Sequence, residues 1–112
     1  MTPRDEIARL SARLDLTNEP QDWGIVNADS ERLEEFVSVY ESESLTHVAR
    51  GAMAALVLAS SNERLEAQPH AELRRIASLL PRIAVDAAWE LDYWRGLDGE
   101  DFPLARWLRD RR

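Results

Sequence analysis

The two histidines, His47 and His70, are the first residues to test for chemistry, since imidazole is the acid–base group that titrates nearest neutral pH. Neither stands in a His-Glu-x-x-His pattern or any comparable ligand spacing. Glu43 to His47 and Glu66 to His70 are i, i+4 pairs, but each straddles an expected helix boundary, so helical geometry brings neither pair face to face. Both histidines read as surface residues. Paired carboxylates can do acid–base work or hold a divalent metal. Glu31, Glu34 and Glu35 are available, yet neighbours in sequence point in different directions from a helix. No Glu-x-x-His set recurs on other helices, as a di-iron bundle requires. Serines are plentiful without a Gly-x-Ser-x-Gly elbow, and four scattered glycines make no phosphate loop. The absence of cysteine removes disulfides, thiolate metal sites and a Cys nucleophile. The expectation is no catalytic residue, no metal and no cofactor.

What the residues offer instead is charge. The stretch 29–43 carries six carboxylates, Asp29, Glu31, Glu34, Glu35, Glu41 and Glu43, against one base, Arg32. Its apolar residues Leu33, Phe36, Val37 and Tyr40 follow the i, i+3, i+4, i+7 spacing of one helix face. One side of this helix can join a core while the rest turns negative charge to water or to a basic partner. The whole chain has a formal charge of -7, which argues against nucleic acid or an anionic membrane as partner. Its 45% apolar content is too high for a disordered chain, and 112 residues suit one domain spanning 1–112. All 14 basic residues are Arg, a bias that fits a GC-rich bacterial genome better than any site. The start, Met1-Thr2-Pro3-Arg4-Asp5-Glu6, lacks the apolar segment of a secretion signal, and no apolar run is long enough to span a bilayer, so cytosol is the default.

The elements that position these residues all read as helices. Thr2-Pro3-Arg4-Asp5 is a start signal, with a hydroxyl cap, Pro at the first helical position and an acid three residues after the cap. Ile7, Leu10 and Leu14 then stripe a helix to about Leu16, broken by Thr17-Asn18-Glu19-Pro20. The segment 21–26 is an irregular loop that tucks Trp23 against the core, and Asn27 or Asp29 caps the acidic helix. Thr46 caps the next helix. From 48 to 60 that helix is apolar almost all round, which places it in the middle of a bundle, and Ser61-Asn62-Glu63-Arg64 frays its end. Pro69 opens a further helix; Pro81 gives a kink or a new start; the pattern resumes over 82–95 and ends at Gly96 and Gly99. A short last helix spans 103–109, and the basic end Arg106, Arg109, Arg111 and Arg112 complements a helix C-terminus. With no hairpin signal and no period-two alternation, the expected fold is all-α, about five helices around a central apolar helix.

The helix after Pro81 holds the aromatic candidates. If Ile83, Ala87, Leu91 and Trp94 face the bundle, Val85, Trp89 and Tyr93 lie on another side in line with Asp86, the mix of aromatic anchors and acids that binding hot spots use. The alternative places Trp89 beneath Trp107, filling a second part of the core. Candidate partner-binding residues are therefore Glu34, Glu41 and Glu43 on the acidic helix, and Asp86, Trp89 and Tyr93 here.

A family likeness runs through the same segments. Gln21-Asp22-Trp23, Val26-Asn27-Ala28-Asp29, Arg32-Leu33-Glu34-Glu35-Phe36 and Tyr40-Glu41 are followed by a Leu45-Thr46 helix start and by Leu56-Val57-Leu58-Ala59-Ser60. Later come Asp92-Tyr93-Trp94, Glu100-Asp101-Phe102-Pro103-Leu104 and Arg106. Over 21–109 the chain resembles small bacterial immunity proteins encoded beside polymorphic toxins of the contact-dependent inhibition and Rhs type. The resemblance implies a helical protein that binds a cognate toxin domain in the cytosol of the producing cell and blocks it, with no catalytic residues. It departs from the group at Val48-Ala49-Arg50-Gly51, where acidic residues are usual and where Gly51 costs roughly 1 kcal/mol of helix stability relative to Ala. An acidic inhibitor would associate quickly with a basic nuclease domain and cover its substrate groove. The competing expectations are a helical adaptor or regulator that binds a host protein or its own copy and, behind it, a metal-dependent helical enzyme. Whether the free protein is a monomer is left open.

Overall fold

The computed structural model describes residues 2–42 and 44–111. Among them are seven α-helices, one 3-10 turn and no strand: α1 (Pro3–Leu14), α2 (Trp23–Val26), the 3-10 turn Ser30–Arg32, α3 (Leu33–Tyr40), α4 (His47–Ala67), α5 (Arg74–Asp86), α6 (Ala88–Arg95) and α7 (Pro103–Arg109). The chain is all-α. It has more helices than the five expected because the segment read as a loop closes one turn as α2, and because the chain breaks at Ala87. Of the two outcomes expected at Pro81, a new start does not occur, because the helix runs on through it. It lies exposed within α5, and the turn falls at Ala87, whose φ of −149° and ψ of 51° leave the helical region. Two further boundaries move. α1 stops at Leu14, where Asp15 takes a left-handed conformation and Leu16 N–H donates back to the Ser11 carbonyl at 2.8 Å. α5 starts at Arg74 rather than at Pro69.

Side-chain caps mark the starts of α1 and α4. Thr2 and Asp5 form a reciprocal capping box on α1, and the Thr46 hydroxyl accepts from Ala49 N–H on α4. α4 packs against α1, α2, the 3-10 turn, α3, α5 and α7. Met53, Ala54, Leu56, Val57 and Leu58 on it have no exposed surface. Contrary to the expected fraying at Ser61, this helix continues to Ala67 with Ser60, Ser61 and Asn62 buried. Each of those polar groups has a partner, as burial demands. Ser61 donates to the Val57 carbonyl at 2.7 Å, and Ser60 accepts from Asp29 N–H at 3.1 Å. Asn62 donates to Glu66 at 2.9 Å and accepts from Leu104 N–H, the entry to α7, at 3.1 Å.

Trp23 is buried as expected, with its indole N–H donating to Ser11 Oγ at 2.8 Å. The same turn brings Gly24 onto the backbone of α4, where a Cβ would lie 3.0 Å from the Ala55 carbonyl carbon. Two substitutions separate packing from backbone contact. Leu56→Ala should cost roughly 2–5 kcal/mol by opening a cavity in the core. Gly24→Ala should cost about 1–3 kcal/mol because neither backbone can yield freely. Urea denaturation of each variant, read by circular dichroism, measures both. An unchanged midpoint for Gly24→Ala would show that α2 does not need its close seat on α4.

Candidate functional site

The acids named from the sequence are mostly occupied inside the protein. Glu34 meets Arg64 of α4 at 3.0 Å, and this hydrogen bond holds its carboxyl below the usual range. Arg64 also donates to the Ser30 carbonyl at 2.6 Å, so the pair ties α3 and the 3-10 turn to α4. Glu41 is paired with Arg75 of α5. Asp86, at the end of α5, accepts from the Tyr40 hydroxyl at 2.7 Å. Burial of that phenol, and then its bond to Asp86, push its titration well above the usual tyrosine range. Glu43 lies outside the described residues. The three described acids thus each have a partner within the protein and link neighbouring helices. His47 and His70 are exposed. No group of three or more His, Cys, Asp or Glu side chains among the described residues is placed to hold a metal ion.

The aromatic pair is placed differently. Ile83, Leu91 and Trp94 are buried, while Trp89 is 72% and Tyr93 43% exposed. Trp89 does not fill the core beneath Trp107. The face of Trp107 is covered instead by the Arg111 guanidinium, 3.9 Å from its ring centroid. Trp89 and Tyr93, one turn apart on α6, stack at 5.8 Å with their planes 17° apart. Such stacking orders two large rings at the surface without burying them. α6 is held by its neighbours in sequence, since Arg109 of α7 donates to the Arg95 and Leu97 carbonyls at its C-terminal end.

Between this stack and the body of the protein is a cleft of about 550 Å³. Its lining comes from α1, the loop before α2, α2 itself, α4 and α6. The α4 part is made of Gly51, Ala52 and Ala55, residues too small to fill the space beneath α6. Ile25, 49% exposed, and Pro20 add apolar surface. Two carboxylates enter it, Glu90 of α6 and Asp22 of the loop. Asp22 adopts a left-handed backbone, φ 55°, which a non-glycine residue takes only at a cost of about 1 kcal/mol. Glu90 is half-buried, and burial first, then the charge of Asp22, raise its carboxyl above the usual range. Arg4 also lines the cleft, but no ion pair joins a described cation to either acid.

Sequence reasoning found Trp89 and Tyr93 but missed Glu90, Asp22 and the α4 floor. The available signal was Gly51, Ala52 and Ala55, small residues at i, i+1 and i+4 on one side of a helix. Gly51 read only as a stability cost; its Cα in fact lies close under the end of α5, where a Cβ would stand 3.3 Å from the Asp86 carbonyl oxygen. No family model, curated protein or solved structure matches the chain.

The raised carboxyl gives a pH prediction with a definite sign. Glu90 binds its proton more tightly folded than unfolded, so the stability that protonation supplies is present below the ordinary Glu range. It is lost as pH rises through the raised folded value. Glu90→Gln removes that penalty. Its melting temperature should exceed that of the wild type at pH 7, with the gap closing by pH 4. Differential scanning calorimetry across that range checks it, and a variant less stable at pH 7 would contradict an uncompensated charge.

Proposed function

We propose that this protein is a non-catalytic immunity protein that binds and neutralises a cognate toxin domain in the cytoplasm of the cell that makes both. The observation that carries this reading is the Trp89–Tyr93 stack, held exposed at the mouth of an acidic cleft on a chain of net charge -7. Aromatic anchors beside carboxylates are what a protein interface uses for affinity, and an acidic field accelerates encounter with a basic partner such as a nuclease domain. The sequence resemblance to immunity proteins supports the same reading, as does an all-helical fold with no helix among the described residues long and apolar enough to cross a membrane. Glu34, Glu41, Glu43 and Asp86 contribute to the field. Their contact role is secondary where each already has a partner, which leaves Trp89 and Tyr93 as the principal contacts.

The test is co-expression with the toxin domain encoded beside the gene. Because Trp89 is exposed, Trp89→Ala with Tyr93→Ala should leave the fold intact, which a thermal melt verifies. The wild type should restore growth, and the folded double variant should bind the toxin more weakly by roughly 2 kcal/mol or more, about thirtyfold. No protection by the wild type sinks the immunity reading. Equal affinity of the double variant moves the contact face elsewhere. A second reading, an adaptor that binds its own copy, draws on the exposure of Val85 and Val26. Sedimentation of the free protein as a dimer that Val85→Glu dissociates would favour it.

A further inference from the structure

Within that reading of the protein as a partner-binding module, we infer that the cleft beneath α6 is a receptor for one arginine side chain presented by a basic protein partner. Three features of the cleft meet the chemistry of guanidinium. The indole of Trp89 and the phenol of Tyr93 line the cleft and stack on each other, leaving the outer faces of the stack for a planar cation, and Arg uses such faces more often than Lys because it is less strongly hydrated. Glu90 and Asp22 supply the carboxylates, so charge complementarity selects a cation over a neutral apolar group. The small floor of Gly51, Ala52 and Ala55 gives the aliphatic stem an apolar bed.

The electrostatics show what is missing from the free protein. Glu90 shares a partly buried cleft with Asp22, whose charge raises the cost of ionising it, and the described cation that lines the cleft, Arg4, is bonded to neither. A guanidinium between them would relieve that repulsion and donate two parallel hydrogen bonds to a carboxylate. The occupant belongs to a protein rather than to free arginine because apolar surface runs from Ile25 in the cleft lining to Val26 outside it, both half exposed, where only a larger partner would cover it. Bound, the cation would also favour the ionised form of Glu90, so affinity should rise with pH through that group's raised range. Asp22 and Arg4 are the other charged groups lining the cleft.

Isotope-edited nuclear magnetic resonance on the full chain tests this at low salt. The probe is the capped tripeptide acetyl-Ala-Arg-Ala-amide, with its citrulline and lysine counterparts and free arginine as comparators. The Arg peptide should shift amide signals of Asp22, Gly24, Ala55 and Tyr93. Citrulline, which keeps the shape and loses the charge, should bind at least roughly tenfold more weakly, and Lys and free arginine more weakly than the Arg peptide. Glu90→Gln and Trp89→Ala, each verified as folded, should each weaken the Arg peptide by roughly tenfold. Citrulline or lysine binding as well as Arg, free arginine binding as tightly as the peptide, or no shift at these residues would overturn the inference. Protection by the wild type in co-expression, with no Arg-peptide binding, would leave the immunity reading standing and this one refuted.

Discussion

A helix surrounded on nearly every side can contact its neighbours only if polar groups on it are satisfied internally, and α4 meets that constraint with Ser60, Ser61 and Asn62. Two of the three reach outside their own helix. Ser60 receives the Asp29 N–H that precedes the 3-10 turn, and Asn62 receives the Leu104 N–H that opens α7. Both groups would otherwise be buried or half-buried donors without partners, at a cost of about 1–3 kcal/mol each. The entries to α3 and to α7 are therefore fixed by the same two turns of one helix, and Arg64, one turn later in the sequence, adds the Ser30 carbonyl and Glu34. The C-terminal half of α4 is bound tightly on several sides. The N-terminal half carries the small residues Gly51, Ala52 and Ala55, and the cleft opens there.

That asymmetry accounts for what was legible in the sequence. Helix existence followed from apolar spacing and from caps that act locally, so Thr2, Thr46 and Pro103 marked real starts. The buried face of the last long segment was also readable, since Ile83, Leu91 and Trp94 do point inward. Where the reading failed, a distant partner decided the outcome. Ser61 and Asn62 look like a helix end because such residues compete for backbone hydrogen bonds when solvated. Buried beside Val57, Glu66 and Leu104, they support the helix instead. Pro81 is tolerated because it sits on the exposed side of α5, and Ala87 breaks the chain without any breaker residue to announce it.

The candidate site divides along the same line. That Trp89 and Tyr93 share a helix face follows from their i, i+4 spacing, but only the structure decides that this face is exposed. The acids needed tertiary knowledge. Glu34, Glu41 and Asp86 lie in the most negative or most aromatic stretches, yet they bond Arg64, Arg75 and Tyr40. Glu90 has only Asp92 as an acidic neighbour in its helix turn by sequence, and its raised titration comes from burial and from Asp22, more than sixty residues earlier in the chain.

A carboxylate left half-buried without a bonded cation, beside a second acid, titrates above the usual range and is expected to destabilise the free protein at neutral pH. Nothing in the packing of α6 requires it: the helix is held by Leu91 and Trp94 in the core and by Arg109 at its end. A glutamine at that position would fit the same space without the ionisation penalty. The packing of α6 therefore gives no reason for an acid at this position, and carboxylates with raised titration in a cleft occur more often at functional sites than elsewhere. The stacked rings tell the same story in apolar terms. Trp89 gives up most of the burial that a tryptophan can gain, and on association it would recover it.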